Sequence, residues 1–227
     1  MSALELRAVR FPKGPLEALP PFDLSLERGR CTLAFGHGVK RLLLKVCAGV
    51  TRPVSGTVRV DAPAGRFPVS YIPHEGGLLS NLTLVQNAAL PLVYHKASPP
   101  REAQEAARAA FEELGIRAMA DHLPALAGVS NRRLAQFVRA RLMDPALLAV
   151  EEPYGEAEAH AAKAIRLMLS QVKSEGRTAL FLAASDLRAW LDFGDAFLFV
   201  GHGRMDYFPD REALMSCSDA EIGSFIG

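Results

Sequence analysis

A short segment near residue 36 has the residue types of a phosphate-binding turn. Gly36 follows three apolar residues, and Gly38, Lys40 and Arg41 come soon after it. A loop of the form G-x-x-x-x-G-K-[ST] wraps phosphate oxygens with backbone N–H groups, while its lysine reaches the terminal oxygens and its hydroxyl holds Mg²⁺. Here only three residues, His37 among them, separate Gly36 from Lys40, and an arginine stands where the hydroxyl is needed. The segment therefore predicts either weak phosphate binding with an altered centre or an ordinary strand-to-helix turn.

Two adjacent carboxylates are the second candidate for chemistry. Glu151 and Glu152 follow four apolar residues and precede Pro153. A short apolar run of this kind is typical of a buried strand, so the carboxylates are expected where that strand ends. The pair is either an ordinary charged strand end or part of a motif, and the apolar run with the following proline favours a motif.

The elements that must position these residues follow from periodicity. Alternating or continuously apolar segments predict strands, spacing of three and four predicts helices, and the alternation of the two predicts a mostly parallel sheet covered on both faces. A helical block at 83–142 interrupts this alternation and is expected to be an insertion. The expected strands are 4–9, 22–26, 30–35, 56–60, 69–73, 147–150, 178–184 and 196–200, and the expected helices are 40–48, 101–114, 131–143, 157–173 and 187–193.

Composition narrows the class of protein. The chain has 227 residues and a formal net charge of +1, which gives no electrostatic case for nucleic acid or an anionic membrane surface. Its three cysteines are odd in number and lack C-x-x-C spacing, so we expect Cys31 and Cys47 to be reduced core residues and expect no metal site. No run reaches the roughly 18 apolar residues of a membrane span, and the first residues lack the apolar run of a signal peptide. We therefore expect a cytosolic protein.

The order of these segments resembles the ATP-binding subunits of ABC transporters over nearly the whole chain. The run 147–153 resembles the Walker B strand, which ordinarily ends in Asp-Glu-Pro. The order of the other pieces also matches the family, and together they are far more specific than any one alone. They are the strand 56–61 after the phosphate-loop helix, the helix 138–145 after the signature motif, the switch-histidine strand at 178–186 and the closing Gly-Arg-Met at 203–205.

Within that superfamily the pattern is most similar to the subunits that drive bacterial Mla-type, MCE-associated lipid transport. The segment 76–92 matches the length and pattern of their segment after the Q-loop, and the final residues 225–227 resemble their terminal Phe-Leu-x-Gly. This resemblance implies lipid transport.

The departures from the family pattern fall on the residues that do its chemistry. The loop before Lys40 is about two residues short against the G-x-x-x-x-G-K pattern. Arg41 replaces the Mg²⁺-holding hydroxyl and has no acceptor atom. His74 stands at the Q-loop glutamine, and Ser185 stands at the switch histidine. By the resemblance Glu151 would be the metal ligand and Glu152 the catalytic base.

Two further positions come from the same resemblance. Gly128 and Ser130 lie in the segment 127–131 that corresponds to the signature motif, with the branched Val129 between them. Phe11 lies near the position of the aromatic residue that stacks on adenine. As simpler interpretations, Ser130 and Ser185 are each the N-cap of the helix that follows, and His74 is a plain loop histidine.

These observations lead to one expected fold and two expected functions. The fold is a RecA-like α/β P-loop NTPase core at 1–82 and 143–227, with N-terminal antiparallel strands and an α-helical subdomain at 83–142. The leading function is a degenerate, barely or non-hydrolysing ABC subunit, with ATP and Mg²⁺ as doubtful cofactors. The alternative is a working ATPase in which Lys40 and Arg41 bind phosphate, Glu151 binds Mg²⁺ and Glu152 is the base. A less favoured third is a soluble regulator that docks no permease.

The expected partners follow from the leading function. They are a membrane permease docked at about 74–142 and a second ATP-binding chain, in a homodimer or in a heterodimer with an active homologue. Contact with the inner membrane would run through the permease only, and the phosphate-turn residues would be Gly36, His37, Gly38, Lys40 and Arg41.

Overall fold

The computed structural model describes residues 1–11, 17, 19–38, 40–201 and 203–227. Nine strands occupy these residues. They are β1 (Ser2–Arg10), β2 (Phe22–Glu27), β3 (Cys31–Gly36), β4 (Ser55–Val60), β5 (Val69–Ile72), β6 (Leu147–Glu151), β7 (Ala179–Ala183), β8 (Ala196–Val200) and β9 (Met205–Phe208).

Seven α-helices accompany the strands within the same part of the chain, together with short 3₁₀ segments at Arg117–Met119, Pro124–Leu126 and Arg188–Trp190. The α-helices are α1 (Lys40–Cys47), α2 (Leu84–Tyr94), α3 (Pro100–Glu113), α4 (Gly128–Leu142), α5 (Ala159–Ser174), α6 (Arg211–Met215) and α7 (Ala220–Ile226).

The larger sheet has six strands in the order β5-β6-β7-β3-β8-β9. The four pairings from β5 to β8 are parallel, and β9 pairs with β8 in the antiparallel sense. Because parallel neighbours end at the same edge, the residues after β3, β6 and β7 meet at one edge of this sheet. The smaller sheet is antiparallel, with β1 between β2 and β4. The expected α/β fold with its mostly parallel sheet, N-terminal antiparallel strands and helical insertion is confirmed.

Side-chain alternation along the strands divides the core in two. Leu33 and Phe35 of β3 pack in the cluster that includes the apolar faces of α2 to α5. Ala34 between them packs in a second cluster with Leu43 and Leu44 of α1 and with residues of β1 and β2. Successive strand residues point to opposite faces, so the central strands are covered on both sides and are largely apolar.

The helical insertion begins at a reciprocal cap. The Thr83 hydroxyl accepts from the Gln86 N–H, and the Gln86 side chain accepts from the Thr83 N–H, which satisfies two donors of the first turn of α2. Asn87, fully buried, exchanges hydrogen bonds with the backbone of Leu79 and donates to the Leu82 carbonyl. These contacts fix the loop that leads from β5 into the insertion.

Some element predictions were wrong. The strand β9 and the helices α6 and α7 were not predicted, because segments of four to seven residues show too little of a period. The helix expected at 187–193 is only the 3₁₀ segment Arg188–Trp190. The helix expected at 101–114 begins one residue earlier, at Pro100, and its N-cap residue Pro99 makes no side-chain capping bond. No helix among the described residues is both long and apolar enough to cross a bilayer.

Candidate functional site

The turn after β3 requires glycine at its first position. Gly36 has a φ of +103°, and a Cβ there would lie 2.5 Å from the Val200 carbonyl oxygen of the neighbouring strand. Any other residue would meet both a disfavoured backbone conformation and a backbone atom that cannot move. The sequence therefore turns sharply between β3 and α1, and Val39 in this turn lies outside the described residues.

Three backbone N–H groups of this turn donate to carbonyl oxygens of the protein. The His37 N–H donates to the Val200 carbonyl at 3.0 Å, the Lys40 N–H to the His37 carbonyl at 3.2 Å, and the Arg41 N–H to the Gly38 carbonyl at 3.4 Å. A phosphate cradle needs several such groups pointing at one ligand. The shortened turn directs these three N–H groups to carbonyl oxygens instead.

The Lys40 side chain points into the protein. It is 3% exposed, and its Nζ donates to the Ser185 hydroxyl at 3.2 Å and to the Gly36 carbonyl at 3.4 Å. The Glu152 Oε1 lies 3.7 Å away and supplies the opposite charge. Burial lowers the pKa of Lys40, and the Glu152 carboxylate opposes that shift. The ammonium is therefore held by protein acceptors at the edge of the sheet.

Glu152 is the centre of this cluster. Its carboxylate accepts from the Ser185 hydroxyl at 2.6 Å and from the Ser185 N–H at 2.9 Å, and Arg41 Nη2 lies 3.9 Å from it. Its backbone has a φ of +43°, which is uncommon for a residue with a side chain, and its N–H donates to the Ala183 carbonyl at 2.7 Å. The structure thus brings together Lys40, Arg41, Glu152 and Ser185, and these groups partner one another.

Glu151 has a different environment. It is 4% exposed, and its two oxygens accept from the Tyr71 hydroxyl at 2.6 Å and from the His74 N–H at 3.1 Å. Burial raises the pKa of Tyr71, and the hydrogen bond to Glu151 raises it further. Both oxygens of the expected metal ligand already have protein donors, and the described residues contain no group of three or more His, Cys, Asp or Glu placed to hold an ion.

His74 touches the site through its backbone. Its side chain lines a cleft of about 290 Å³ between β5, the start of α4 and the loop after β6, together with Arg132 and Gln136. The ring Nδ1 is buried and has no hydrogen-bond partner among the described residues. That the His74 imidazole takes the role of the Q-loop glutamine remains a prediction.

The residues of the signature-like segment are part of a helix. Gly128, with a φ of +69°, is the first residue of α4, and Val129 is 42% exposed. Ser130 was expected to be the N-cap, but Ala127 is the N-cap and makes no side-chain capping bond. The Ser130 hydroxyl instead accepts from the Glu158 N–H at 3.1 Å, which ties α4 to the start of α5.

Two other expectations are corrected by burial and hydrogen bonding. Phe11, expected to stack on a base, is 4% exposed and packs in the core under β1 and β2, so its ring has no open face to offer. Ser185, expected to cap the following helix, gives its hydroxyl to the cluster. The Asp186 carboxylate accepts from the Ala189 N–H in its place.

The residue after Gly36, His37, contacts the last helix, α7. His37 Nε2 lies 2.9 Å from Glu221 Oε1 in α7, and its ring meets Phe225 edge-on at 5.9 Å. The Asp219 carboxylate caps α7, and its hydrogen bond from Arg204, together with those from the first turn of α7, lowers its pKa to about 2. His37 is thus part of a contact between the turn and α7.

Sequence reasoning missed Arg133. Its guanidinium, 5% exposed, donates to the carbonyls of Glu151, Glu152 and Pro153 and to the Gln136 side chain. Burial lowers its pKa to about 10, so it remains charged at neutral pH. A signal was available, because an arginine and a glutamine three residues apart lie on the same face of a helix as its apolar residues.

Comparisons with known proteins agree with this fold. The chain is 28% identical over 206 residues to the aliphatic sulfonates import ATP-binding protein SsuB 1 of Paraburkholderia xenovorans, covering 89% of this chain and 58% of that protein. It is 26% identical over 239 residues to the sulfate/thiosulfate import ATP-binding protein CysA of Bordetella bronchiseptica, covering 99% and 67%. The chain therefore spans about three fifths to two thirds of the length of these relatives.

A solved structure shows the same architecture. CbiO1 of Clostridium perfringens, part of the ABC transporter complex cbiONQ, superposes with a TM-score of 0.76 at 17% identity, covering 95% of this chain and 91% of that one. No protein-family model matches the chain. The chain is thus similar in sequence and in fold to ABC-transporter ATP-binding subunits.

Proposed function

We propose that the chain is the ATP-binding-cassette subunit of a membrane transporter and that it acts by docking rather than by hydrolysing ATP. The observation that carries this proposal is the closed cluster of Lys40, Glu152 and Ser185. A phosphate-binding lysine must offer a free ammonium, and a general base must be free to take a proton from water. In this cluster the Lys40 ammonium and the Glu152 carboxylate neutralise each other.

The surroundings of the cluster support the same conclusion. Arg41 has no atom that can coordinate Mg²⁺, and both oxygens of Glu151 accept hydrogen bonds from the protein. Phosphoryl transfer relies on positioned phosphates, a metal and an oriented nucleophile, and removing one electrostatic contributor lowers rates by about 10²–10³. Several such contributors are altered together in this chain.

Titration calorimetry with ATP, with and without Mg²⁺, tests the proposal, alongside phosphate release by the wild type and by Glu152→Gln. We expect no binding at micromolar nucleotide and no phosphate release above the buffer rate. Micromolar binding of Mg-ATP with turnover abolished by Glu152→Gln would instead establish the ATPase alternative, with Lys40 and Arg41 on the phosphates. Binding without turnover would retain a docking subunit that senses nucleotide.

The proposed docking face lies where the helical insertion meets the core. A groove of about 350 Å³ runs between β5 and α2 and includes Tyr71, Pro91 and Arg139. Tyr94 at its rim is 77% exposed, an unusual exposure for a large aromatic side chain. A partly apolar groove with an exposed aromatic side chain at its rim suits a short helix of a permease.

Co-purification from the membranes of the source cell tests this face. We expect a polytopic membrane protein to accompany the wild-type chain and to be lost from Tyr94→Glu. Tyr207→Glu is the matched control, since Tyr207 is 46% exposed on β9, at the opposite edge of the sheet. Equal recovery with both variants would reject the groove as the docking face, and recovery of no membrane protein would favour a soluble regulator.

The same preparation identifies the second ATP-binding chain and the cargo class. We propose a dimer with either a second copy or an active homologue, attached to the inner membrane through the permease. The lipid assignment depends on the segments 76–92 and 225–227 alone. The relatives named above import sulfonates and sulfate and lend it no support. The co-purified permease and its binding protein would distinguish lipid transport from anion import.

A further inference from the structure

One face of α4 is bonded to the loop that follows β5. Arg133, Gln136 and Arg139 lie three residues apart along the helix, so their side chains occupy neighbouring turns. Each donates to a backbone carbonyl of the segment 73–77, which leads from the core into the helical insertion. The acceptors, in order, are the carbonyls of Pro73, Gly76 and Gly77.

Arg133 also reaches the end of β6. Its Nη2 donates to the carbonyl of Glu151 at 2.6 Å and to that of Glu152 at 2.7 Å, and its Nε donates to the Pro153 carbonyl at 3.2 Å. Its Nη1 donates to Pro73 at 2.7 Å. A guanidinium that is 5% exposed needs these acceptors, because a buried cation without partners is strongly unfavourable.

These bonds fall on both sides of one strained residue. The carbonyls of Glu151 and Glu152 belong to the two peptide groups that flank the Glu152 Cα. A nitrogen bonded to both restricts rotation about the φ and ψ angles between them. Glu152 has a φ of +43°, and a side-chain-bearing residue keeps such a conformation only when its surroundings over-determine it. Arg133 supplies that constraint.

We propose that Arg133 is a positioning residue that sets the Glu152 backbone, and so aims its carboxylate at Lys40 and Ser185. With Gln136 and Arg139 it also forms a polar seam that makes the helical insertion and the edge of the sheet move as one body. The proposal concerns backbone geometry and does not depend on whether the chain hydrolyses ATP.

Amide hydrogen exchange by NMR on the full chain tests this role at three reporter groups. The His74 N–H donates to Glu151, the Glu152 N–H to Ala183, and the Ser185 N–H to Glu152. In Arg133→Met we expect exchange at all three to rise at least tenfold and the Ser185 amide signal to shift. Arg133→Lys, which keeps the charge but not the planar fork, should fall between this variant and the wild type.

The matched control is the neighbouring arginine of the same helix. Arg132 donates to the Pro124 carbonyl within the insertion itself, so Arg132→Met should leave all three reporters unchanged. Wild-type exchange in Arg133→Met would overturn the proposal, as would an equal rise in Arg132→Met. Either result would reduce Arg133 to an ordinary packing residue.

A second variant tests the polar seam separately from the positioning role of Arg133. It also keeps the proposal testable if Arg133→Met does not fold. The double variant Gln136→Leu with Arg139→Leu leaves the Arg133 bonds to β6 in place. We expect faster exchange at His74 only, with Glu152 and Ser185 as in the wild type. Unchanged exchange at His74, or an equal change at Ser185, would overturn the proposal.

Discussion

Replacing the Glu152 carboxylate by an amide removes the charge that the whole cluster shares. In Glu152→Gln the Lys40 ammonium, 3% exposed, keeps only neutral acceptors, and Arg41 becomes a like-charged neighbour. Lys40 must then either remain charged with only the electrostatic effect of Glu151 to oppose its burial, or give up its proton. Both outcomes lower the free energy of unfolding, because burial already disfavours the charged form.

The magnitude follows from the distances. Opposite charges 3.7 Å apart attract by about 4.5 kcal/mol at an effective dielectric constant of about 20. Removing one partner of a buried pair costs about 3–5 kcal/mol. The Glu152 side chain is 15% exposed and glutamine keeps one acceptor for Ser185, so we expect a loss of about 2–4 kcal/mol. In a chain of this size the loss lowers Tm by roughly 4–16 °C.

Urea unfolding at pH 7 of a double-mutant cycle measures the effect. Lys40→Met leaves the carboxylate with Arg41 and both Ser185 donors, so this variant should lose less, about 1–2 kcal/mol. The double variant should show a coupling of about 1–3 kcal/mol between the two sites. A wild-type midpoint for Glu152→Gln, or a larger loss for Lys40→Met than for Glu152→Gln, would refute the closed cluster.

Three further changes test other parts of the site. Gly36→Ala should lose about 2–4 kcal/mol by thermal unfolding, since its Cβ would lie 2.5 Å from the Val200 carbonyl oxygen at a φ of +103°. Tyr71→Phe should lose about 1–3 kcal/mol by the same measurement, because the buried Glu151 carboxylate keeps only one donor. Asp219 has a pKa lowered to about 2 from 3.8, so its stabilisation of α7 is present above about pH 4 and lost as pH falls towards 2. NMR of the α7 amides should show this loss.

Each of these has a clear contrary result. Gly38→Ala is the control for the glycine turn, since a Cβ at Gly38 meets no atom within 4 Å, and an equal loss in both variants would contradict the steric argument. An unchanged midpoint in Tyr71→Phe would show that water replaces the hydroxyl. An α7 that melts at the same pH in Asp219→Asn as in the wild type would assign the transition to another carboxyl group.

Periodicity was enough to predict the central sheet. Strands buried on both faces are largely apolar. β7 and β8 are apolar at every position, and β3 and β6 each carry one polar residue, Thr32 and the terminal Glu151, so these strands stand out from the polar helices between them. The same reasoning fails for short elements at the end of the chain. Helices α6 and α7 have five and seven residues, too few for an apolar stripe to repeat, although each begins at a hydrogen-bonded aspartate cap, Asp210 and Asp219.

Side-chain burial was the least predictable property of the candidate residues. A phenylalanine can stack on a ligand or fill the core, and the sequence does not distinguish the two roles. The 4% exposure of Phe11 in the structure does. Arg133 was passed over because an arginine in a helix is ordinarily a surface residue. Its burial depends on hydrogen bonds to carbonyl groups about twenty and sixty residues away in the sequence, and a local sequence pattern cannot predict such contacts.

The sequence by itself determined which chemical groups are present: a short glycine turn before Lys40, an arginine directly after that lysine, a pair of adjacent glutamates and a serine at position 185. Only the tertiary structure decided what the remaining groups do. The order β6-β7-β3 places the residues after three strands side by side, although Lys40 and Ser185 are 145 residues apart. There the buried Lys40 ammonium is paired with the Glu152 carboxylate and the Ser185 hydroxyl, because leaving a buried ammonium unpaired would be less favourable.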